Sequence, residues 1–153
     1  MHTFGHACRI DEIAEICSNY NIDIVEDAAE ALGSYYKGKH LGSFGKIGAI
    51  SFNGNKIITT GSGGMILTNS KELAERAKHI TTTAKKPHAW DFFHDEIAFN
   101  YRLPNLNAAL GLAQLESLPA YLENKRWIAK QYQDWGEINN INFLQEIGCH
   151  FPE

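Results

Sequence analysis

The stretch IDIVED, residues 22–27, is the first indication of the fold of this chain. It is a short apolar run that ends in two carboxylates, Glu26 and Asp27, and it is typical of a buried strand in a parallel sheet. An amphipathic helix is expected before it, with Asp11 at its N-terminal cap and an apolar face of Ile10, Ile13, Ala14, Cys17 and Tyr20. A helix, a tight turn and a strand with acidic residues at its carboxyl end form an α/β pattern, in which ligands bind beyond the strand ends.

Residues 33–64 are rich in glycine and contain two more strand candidates, 47–52 and 64–68. Because apolar and polar residues alternate between the glycines, we expect short strands joined by tight turns rather than low-complexity chain. The glycines would also suit a nucleotide-phosphate cradle. However, neither of the usual glycine-rich phosphate motifs is present between a strand and a helix.

Three further helices are predicted after residue 69, each preceded by a turn or an irregular loop. Ser70 caps the first, Pro104 suits the first turn of the second and Pro119 restarts the third, whereas residues 81–96 have no clear period. The second helix is expected to direct these side chains inward: Leu106, Ala109, Leu110 and Ala113. The third helix is expected to contribute these side chains to a core or an interface: Leu122, Trp127, Ile128, Tyr132 and Trp135.

The composition is that of an ordinary globular protein. The 153 residues are 44% hydrophobic and 21% charged, which suffices for one domain, and the net charge of -4 argues against nucleic acid as a partner. No run approaches the ~18 apolar residues of a membrane helix, and the first residues do not resemble a secretory signal. Together with three scattered cysteines, Cys8, Cys17 and Cys149, this predicts a soluble, cytoplasmic protein with reduced thiols.

The residues SFNGNK at 51–56 and the carboxylate of Asp27 could together hold pyridoxal phosphate (PLP). Such a site needs a lysine amine, an acid for the pyridine nitrogen and donors for the phosphate. Each residue alone has a plainer explanation: Lys56 as a solvated surface lysine, Asp27 as a helix cap, and Ser51 as a buried strand hydroxyl. His88 and His94 lack further ligands at a suitable spacing, so no metal is expected.

Residues 22–116 resemble the DegT/DnrJ/EryC1/StrS family of PLP-dependent nucleotide-sugar aminotransferases. The matching pieces are EDAAEALGSYYKGKHLGSFGKIGAISFNGNKIITTGSGG at 26–64 and NYRLPNLNAALGLAQLE at 100–116. The run TTTAKKPHAW at 81–90 is most similar to legionaminic-acid and bacillosamine-type enzymes, which aminate a UDP-linked 4-keto-6-deoxy-N-acetylhexosamine. The resemblance implies an α/β fold, namely the central part of the large domain of a fold-type I PLP-dependent transferase, with a mainly parallel sheet flanked by helices.

The resemblance also implies roles around the cofactor. Lys56 matches the catalytic Schiff-base lysine, and Asp27 matches the acid that pairs with the pyridinium nitrogen. Glu30 stands where the family commonly has glutamine, near the 3'-hydroxyl of the cofactor, and a carboxylate cannot donate there unless it is protonated. Ser51 matches a hydroxyl that contacts the phosphate, and Asn53 replaces a histidine of many relatives.

Asn100 and Arg102 fall in the motif that, in the family, reaches a phosphate across the dimer interface. A guanidinium fork suits that contact. Alternatively, the two residues only tie a loop to the end of a helix. A homodimer is therefore expected by resemblance.

The implied function is the transfer of an amino group, from glutamate, to C4 of a UDP-linked keto sugar. Residues 1–138 are expected to be an incomplete PLP-binding large domain, and residues 139–153 the start of a truncated C-terminal domain. One alternative is an inactive, truncated remnant that acts only as an oligomeric or interaction module. Another is a nucleotide-binding α/β domain without PLP.

Overall fold

A computed structural model describes residues 1–145 and has the predicted mixture of strands and helices. A short 3-10 turn at Thr3–Gly5 precedes the first helix. The remaining elements are α1 (Ile10–Asn19), β1 (Val25–Asp27), β2 (Tyr35–Tyr36), β3 (Lys39–His40), β4 (Ile47–Ser51), β5 (Gly64–Leu67), α2 (Lys71–Thr81), α3 (Asn105–Glu116) and α4 (Leu118–Asn139). The α/β prediction is confirmed, and the strand predicted from residue 22 begins later, at Val25.

The central sheet is mixed, in the order β1-β4-β5. β1 and β4 are parallel, with Asp27 opposite Ala49, whereas β4 and β5 are antiparallel, with Ser51 opposite Gly64. β2 and β3 form a separate antiparallel hairpin within the connection from β1 to β4. Within residues 1–145 the sheet thus has one parallel and one antiparallel strand pair, because loop 52–63 contains no helix that could carry the chain back across it.

A buried carboxylate joins β1 to two neighbouring segments. Glu26 is 2% exposed and accepts hydrogen bonds from the backbone N–H groups of Gly42 (2.8 Å) and Gly45 (2.5 Å). Its Oε2 also lies 2.9 Å from Nε2 of His2, which is 1% exposed. Because Nδ1 of His2 accepts from the Cys8 N–H at 3.4 Å, Nε2 is the protonated nitrogen and donates to Glu26. Burial alone would raise the pKa of Glu26, but these hydrogen bonds lower it below its ordinary value.

Helix α1 begins as predicted, but Asp11 is not its cap. Arg9 occupies the N-cap without a side-chain hydrogen bond, and Asp11 lies in the first turn. There its carboxylate accepts from the hydroxyl of Tyr36 at 3.0 Å and pairs with Lys37. The hydrogen bond from Lys37 lowers the pKa of Asp11 from 3.8 to about 2. The predicted apolar face is only partly inward, since Tyr20 is 74% exposed whereas Ile10 is buried.

Helix α3 presents the opposite face from the one predicted. Leu106 is 86% exposed, and Ala109, Leu110 and Ala113 are exposed as well. The following residues face the protein instead: Asn107, Gly111 and Gln114. The prediction is wrong because the backbone N–H of Thr59 and the carbonyl of Thr60 need partners, and two polar side chains of α3, Gln114 and Asn107, supply them.

The other helices agree better with the predictions. Ser70 caps α2 by accepting from the N–H of Leu73 at 3.3 Å, and Pro119 lies in the first turn of α4. Three aromatic residues of α4 are more than half exposed, so they do not form a core within the described residues: Trp127, Tyr132 and Trp135. Within residues 1–145, none of the helices combines the length and apolar character that crossing a lipid bilayer requires.

Two predictions reach beyond the described residues. The predicted C-terminal segment, 139–153, begins at the last residue of α4 and extends past residue 145, so its boundary stays a prediction. Cys8 and Cys17 are free thiols, and Cys149 lies outside the described part of the chain.

Candidate active site

Two strand ends place Asp27 and Ser51 at one edge of the sheet. Asp27 ends β1 and Ser51 ends β4, and these strands are parallel neighbours. Their carboxyl ends therefore lie at one edge of the sheet, where ligands of α/β proteins bind. Lys56 follows on the loop after β4, in a turn closed by its own N–H donating to the carbonyl of Asn53 at 3.1 Å.

The amine of Lys56 is directed inward rather than to bulk solvent. Its side chain is 17% exposed, and Nζ lies 3.3 Å from Oε1 of Glu30. The other carboxylate oxygen of Glu30 accepts from the backbone N–H of Phe4 at 2.8 Å, which fixes the carboxylate. The plainer explanation, a solvated surface lysine, does not fit this environment.

An open cavity of about 600 Å³ surrounds this ion pair. Its volume lies in the range of small-molecule sites. The cavity is lined from the end of β4 and the loop after it by Ser51, Asn55, Lys56 and Ile57, and from the segment after β1 by Ala29, Glu30, Leu32 and Ser34. Phe4 and the first half of α4 complete the lining.

Asp27 and Ser51 each keep hydrogen-bonding capacity for a ligand. Oδ1 of Asp27 accepts from the N–H of Ala29 at 3.1 Å, and Oδ2 has no partner within residues 1–145. Oγ of Ser51 accepts from the N–H of Asn53 at 3.2 Å, which leaves its hydroxyl hydrogen without an acceptor in the described chain. Asn53 itself is exposed, and its amide donates to Oδ1 of Asn55 at 3.3 Å.

Asn100 and Arg102 do not line this cavity. Asn100 pairs with Thr82 in an isolated antiparallel bridge, and Arg102 donates to the carbonyl of Thr82 at 3.3 Å. Thr82 is the C-cap of α2, so within one chain both residues tie a loop to a helix end, as the alternative explanation states. Their predicted contact with a phosphate of a second subunit stays a prediction.

The predicted loop at residues 81–96 folds back on α2 through charged side chains. His79, Asp95 and Glu96 form a group with potential metal-ligand atoms within 4.8 Å of one another. However, Asp95 also pairs with Lys86 and Glu96 with Arg76. The hydrogen bond from His79 lowers the pKa of Asp95, and the one from Arg76 lowers the pKa of Glu96, as expected for carboxylates held in ion pairs.

The two histidines considered from the sequence are occupied by backbone contacts. Nδ1 of His88 accepts from the N–H of Asp91 at 2.9 Å, and Nδ1 of His94 lies 2.6 Å from the carbonyl oxygen of Thr83. Both therefore serve the local conformation of the loop.

The amino-acid sequence matches the DegT/DnrJ/EryC1/StrS aminotransferase family over residues 1–146. The chain belongs to this family. It is 42% identical over 150 residues to EpsN of Bacillus subtilis, by name a pyridoxal phosphate-dependent aminotransferase, covering 97% of this chain and 38% of EpsN. It is 44% identical over 147 residues to GDP-perosamine synthase of Escherichia coli O157:H7, covering 96% of this chain and 39% of that enzyme.

The fold agrees with the same family. The crystal structure of the aminotransferase TlmJ from Streptoalloteichus hindustanus matches with a TM-score of 0.83 and 32% identity, over 87% of this chain and 36% of TlmJ. The chain thus spans less than two fifths of the length of each of these relatives.

The residues present fit pyridoxal phosphate, the cofactor of this aminotransferase family. Lys56 offers an amine and Ser51 an unused hydroxyl hydrogen in the cavity lining. Asp27 is not part of that lining, but at the end of the neighbouring strand it offers an unpaired carboxylate oxygen. An amine, a hydroxyl donor and an acid are the three groups that such a cofactor requires from its protein.

Sequence reasoning missed three contributors to the site. The backbone of Phe4 holds Glu30, and Lys125 and Arg126 line the cavity from α4. The signal for the α4 residues was available, because they follow Leu122 at helical spacing on one face. No pattern in the sequence indicates that Phe4, 26 residues before Glu30, donates to that carboxylate.

Proposed function

We propose that the full-length protein transfers an amino group from glutamate to C4 of a UDP-linked 4-keto-6-deoxy sugar, with Lys56 as the residue that binds PLP covalently. The observation that carries this proposal is the position of Lys56. Its side chain is largely shielded, lines the cavity and follows the strand that ends at Ser51, next to the strand that ends at Asp27.

Each residue contributes a separate physical task. When bound, the cofactor supplies an electron sink for the carbon that loses a proton. The carboxylate of Asp27 holds a proton on the pyridine nitrogen, and the hydroxyl of Ser51 donates to the phosphate. The Nζ atom of Lys56 takes and returns the substrate proton, and its low exposure limits exchange of that proton with water.

Glu30 is the departure from the family that bears most directly on this chemistry. Its carboxylate lies against Lys56 and accepts from the backbone of Phe4, so it is held next to the reacting amine. The ammonium of Lys56 must lose a proton before the amine acts as a nucleophile, and the carboxylate of Glu30 lies 3.3 Å from that nitrogen.

The sugar nucleotide is assigned to UDP on the run TTTAKKPHAW at 81–90, although GDP-perosamine synthase acts on a GDP sugar by its name. Trp90, at the end of this run, is 85% exposed and available to a ligand. Parallel assays of the full-length protein with UDP-linked and GDP-linked 4-keto-6-deoxy sugars decide between them. A preference for the GDP sugar would overturn the nucleotide assignment and leave the amino transfer intact.

The proposal includes a homodimer, because the site residues Asn100 and Arg102 lie outside the cavity of their own chain. The exposed leucines of α3, with Leu106 at 86%, supply an apolar surface for such an association. Sedimentation of the full-length protein is expected to give a dimer. A monomer would leave these two residues with only their contacts to Thr82.

Cofactor attachment tests the central proposal. Purified protein is incubated with PLP, reduced with borohydride and digested, and the peptide that contains Lys56 is expected to gain the mass of the cofactor. Lys56→Ala should abolish the gain, whereas Lys130→Ala, which removes an exposed lysine paired with Asp134, should not. A mass gain that is equal in all three proteins would refute the role of Lys56.

The alternative is an inactive module that acts only through association, and the exposed surface of α3 and α4 favours it. A transaminase assay of this chain beside a version extended at both ends separates the two. Turnover by the chain itself would exclude the inactive module. If neither version attaches PLP and neither shows turnover, the result would favour the inactive module.

A further inference from the structure

Phe4 places an aromatic ring at the edge of the active-site cavity. The residue lines the same cavity as Glu30 and Lys56, yet it is 83% exposed. Cavities that bind small organic molecules are lined mainly by apolar and aromatic side chains, with a few polar groups that set the orientation of the ligand. The ring of Phe4 is therefore available to a ligand that occupies this cavity.

The backbone of Phe4 has an unusual conformation. Its φ of 55° and ψ of 25° lie in the left-handed region, which an aromatic residue rarely occupies. Such a conformation persists only where the surrounding contacts impose it, and it is found most often at binding sites and active sites. Position 4 thus carries a bulky side chain where the backbone would be more easily made with glycine.

Backbone contacts hold the turn around Phe4 in place. The N–H of His2 donates to the carbonyl of Asp27 at 3.0 Å, and the N–H of Gly5 donates to the carbonyl of His2 at 3.2 Å. Gly5 also lies against Glu30, because a Cβ added there would be 2.8 Å from the carbonyl oxygen of that residue. None of these contacts involves the ring of Phe4, so the turn itself does not require an aromatic side chain.

Glu30 connects Phe4 to the reacting amine. One oxygen of its carboxylate accepts from the N–H of Phe4 at 2.8 Å, and the other lies 3.3 Å from Nζ of Lys56. Phe4 and Lys56 are thus separated by a single carboxylate group. A substrate whose reacting carbon lies at Lys56 therefore has the neighbouring atoms of the same molecule close to Phe4.

We propose that the ring of Phe4 packs against the C6 methyl group of the sugar and makes the protein selective for 6-deoxy hexoses. This inference rests on the proposed function and names the part of its substrate that Phe4 contacts. C6 is separated from the reacting carbon C4 only by C5, whereas the diphosphate is attached at C1, across the ring. A methyl group gains from burial against a phenyl ring. The hydroxyl group of an ordinary hexose would lose hydrogen bonds to water in the same place.

Binding measurements with a matched pair of ligands test this selectivity. The full-length protein is titrated with the 4-amino-4,6-dideoxy sugar nucleotide, the proposed product, and with its counterpart that carries a 6-hydroxyl group. Both are linked to the nucleotide that the parallel assays select. We expect the native protein to bind the 6-deoxy compound about tenfold more tightly, as is usual for one small group in an apolar contact. Phe4→Ala should reduce this affinity ratio to about twofold or less.

Two further variants separate the contact from an effect on folding. Phe4→Tyr keeps the aromatic ring and should retain most of the affinity ratio, which a merely structural role of position 4 would not predict. Tyr20→Ala removes an aromatic side chain that is 74% exposed and does not line the cavity, so the ratio should equal that of the native protein. Phe4→Ala itself keeps the backbone N–H that binds Glu30.

The free nucleoside diphosphate is the third ligand, because it lacks the sugar that Phe4 is proposed to contact. If Phe4→Ala weakened all three ligands by the same factor, the contact with C6 would be refuted. Absence of a 6-deoxy preference in the native protein, or the same ratio in the native protein and in Phe4→Ala, would also overturn the assignment.

Cofactor attachment at Lys56 of the native protein keeps the two proposals apart. Attachment together with an affinity ratio that does not depend on Phe4 would refute the role of Phe4 and leave the proposed function standing. Failure of attachment would refute the proposed function, whereas a 6-deoxy preference that Phe4→Ala abolishes would still support the contact of Phe4 with the sugar.

Discussion

Replacing Glu26 by glutamine tests how the strand that carries Asp27 is held. The carboxylate accepts from the N–H groups of Gly42 and Gly45 and from His2, all in a buried environment. A glutamine keeps one acceptor oxygen and turns an amide NH2 toward at least one of these donors. Since a lost hydrogen bond to a buried charge costs about 1.5–3 kcal/mol and the unsatisfied groups add to it, we expect the variant to lose about 3 kcal/mol of unfolding free energy.

Urea unfolding followed by circular dichroism measures this loss, with Glu15→Gln on the exposed side of α1 as the control, expected within about 0.5 kcal/mol of the native chain. The pKa of Glu26 is lowered on folding, so its charge contributes fully above its ordinary value of 4.5. The contribution is lost as the pH falls from there through the lowered value in the folded chain. The difference between native and variant chains should therefore shrink in acid. A loss below about 0.5 kcal/mol at neutral pH, or a difference that stays constant down to about pH 3, would refute the reasoning.

Three further predictions concern other contacts. Gly33→Ala should lower the thermal midpoint more than Gly38→Ala, because both have positive φ but only the first brings a Cβ within 2.8 Å of Leu122; equal shifts would contradict close packing of α4 there. Asn107→Ala should lower the free energy of unfolding by about 1–2 kcal/mol, because it removes the hydrogen bond to the Thr60 carbonyl. Asn105→Ala on the same helix should change the free energy of unfolding by no more than about 0.5 kcal/mol. Equal effects of the two substitutions would argue against this docking of α3. Asp11 should titrate near pH 2 by NMR, and Lys37→Met should raise its pKa; no change would mean that the ion pair is absent in solution.

Local signals were sufficient for much of the fold. Ser70 caps α2 because its hydroxyl and the N–H of Leu73 are three residues apart, a relation that the sequence contains in full. The edge where Asp27 and Ser51 meet was also predictable, since it follows from two strands that end in polar residues.

What could not be predicted depends on contacts between distant residues. The leucines of α3 have helical spacing, but the inward face is chosen by Thr59 and Thr60, roughly 50 residues earlier, whose backbone groups bind Gln114 and Asn107. The burial of Glu26 could not be predicted for the same reason, because its donors His2 and Gly45 are distant from it in the sequence. A carboxylate at a strand end is ordinarily assigned to solvent or ligand.

The polar docking of α3 has a consequence for how this part of the protein can vary. Asn107 donates to the Thr60 carbonyl and Gln114 accepts from the Thr59 N–H, and these two hydrogen bonds fix both the rotation of the helix about its axis and its position along it, as apolar contacts alone would not. The outward leucines are then not needed to orient the helix. Selection can therefore replace these leucines one at a time and change the surface that α3 offers for association. The hydrogen bonds between α3 and the loop that carries Lys56 are kept.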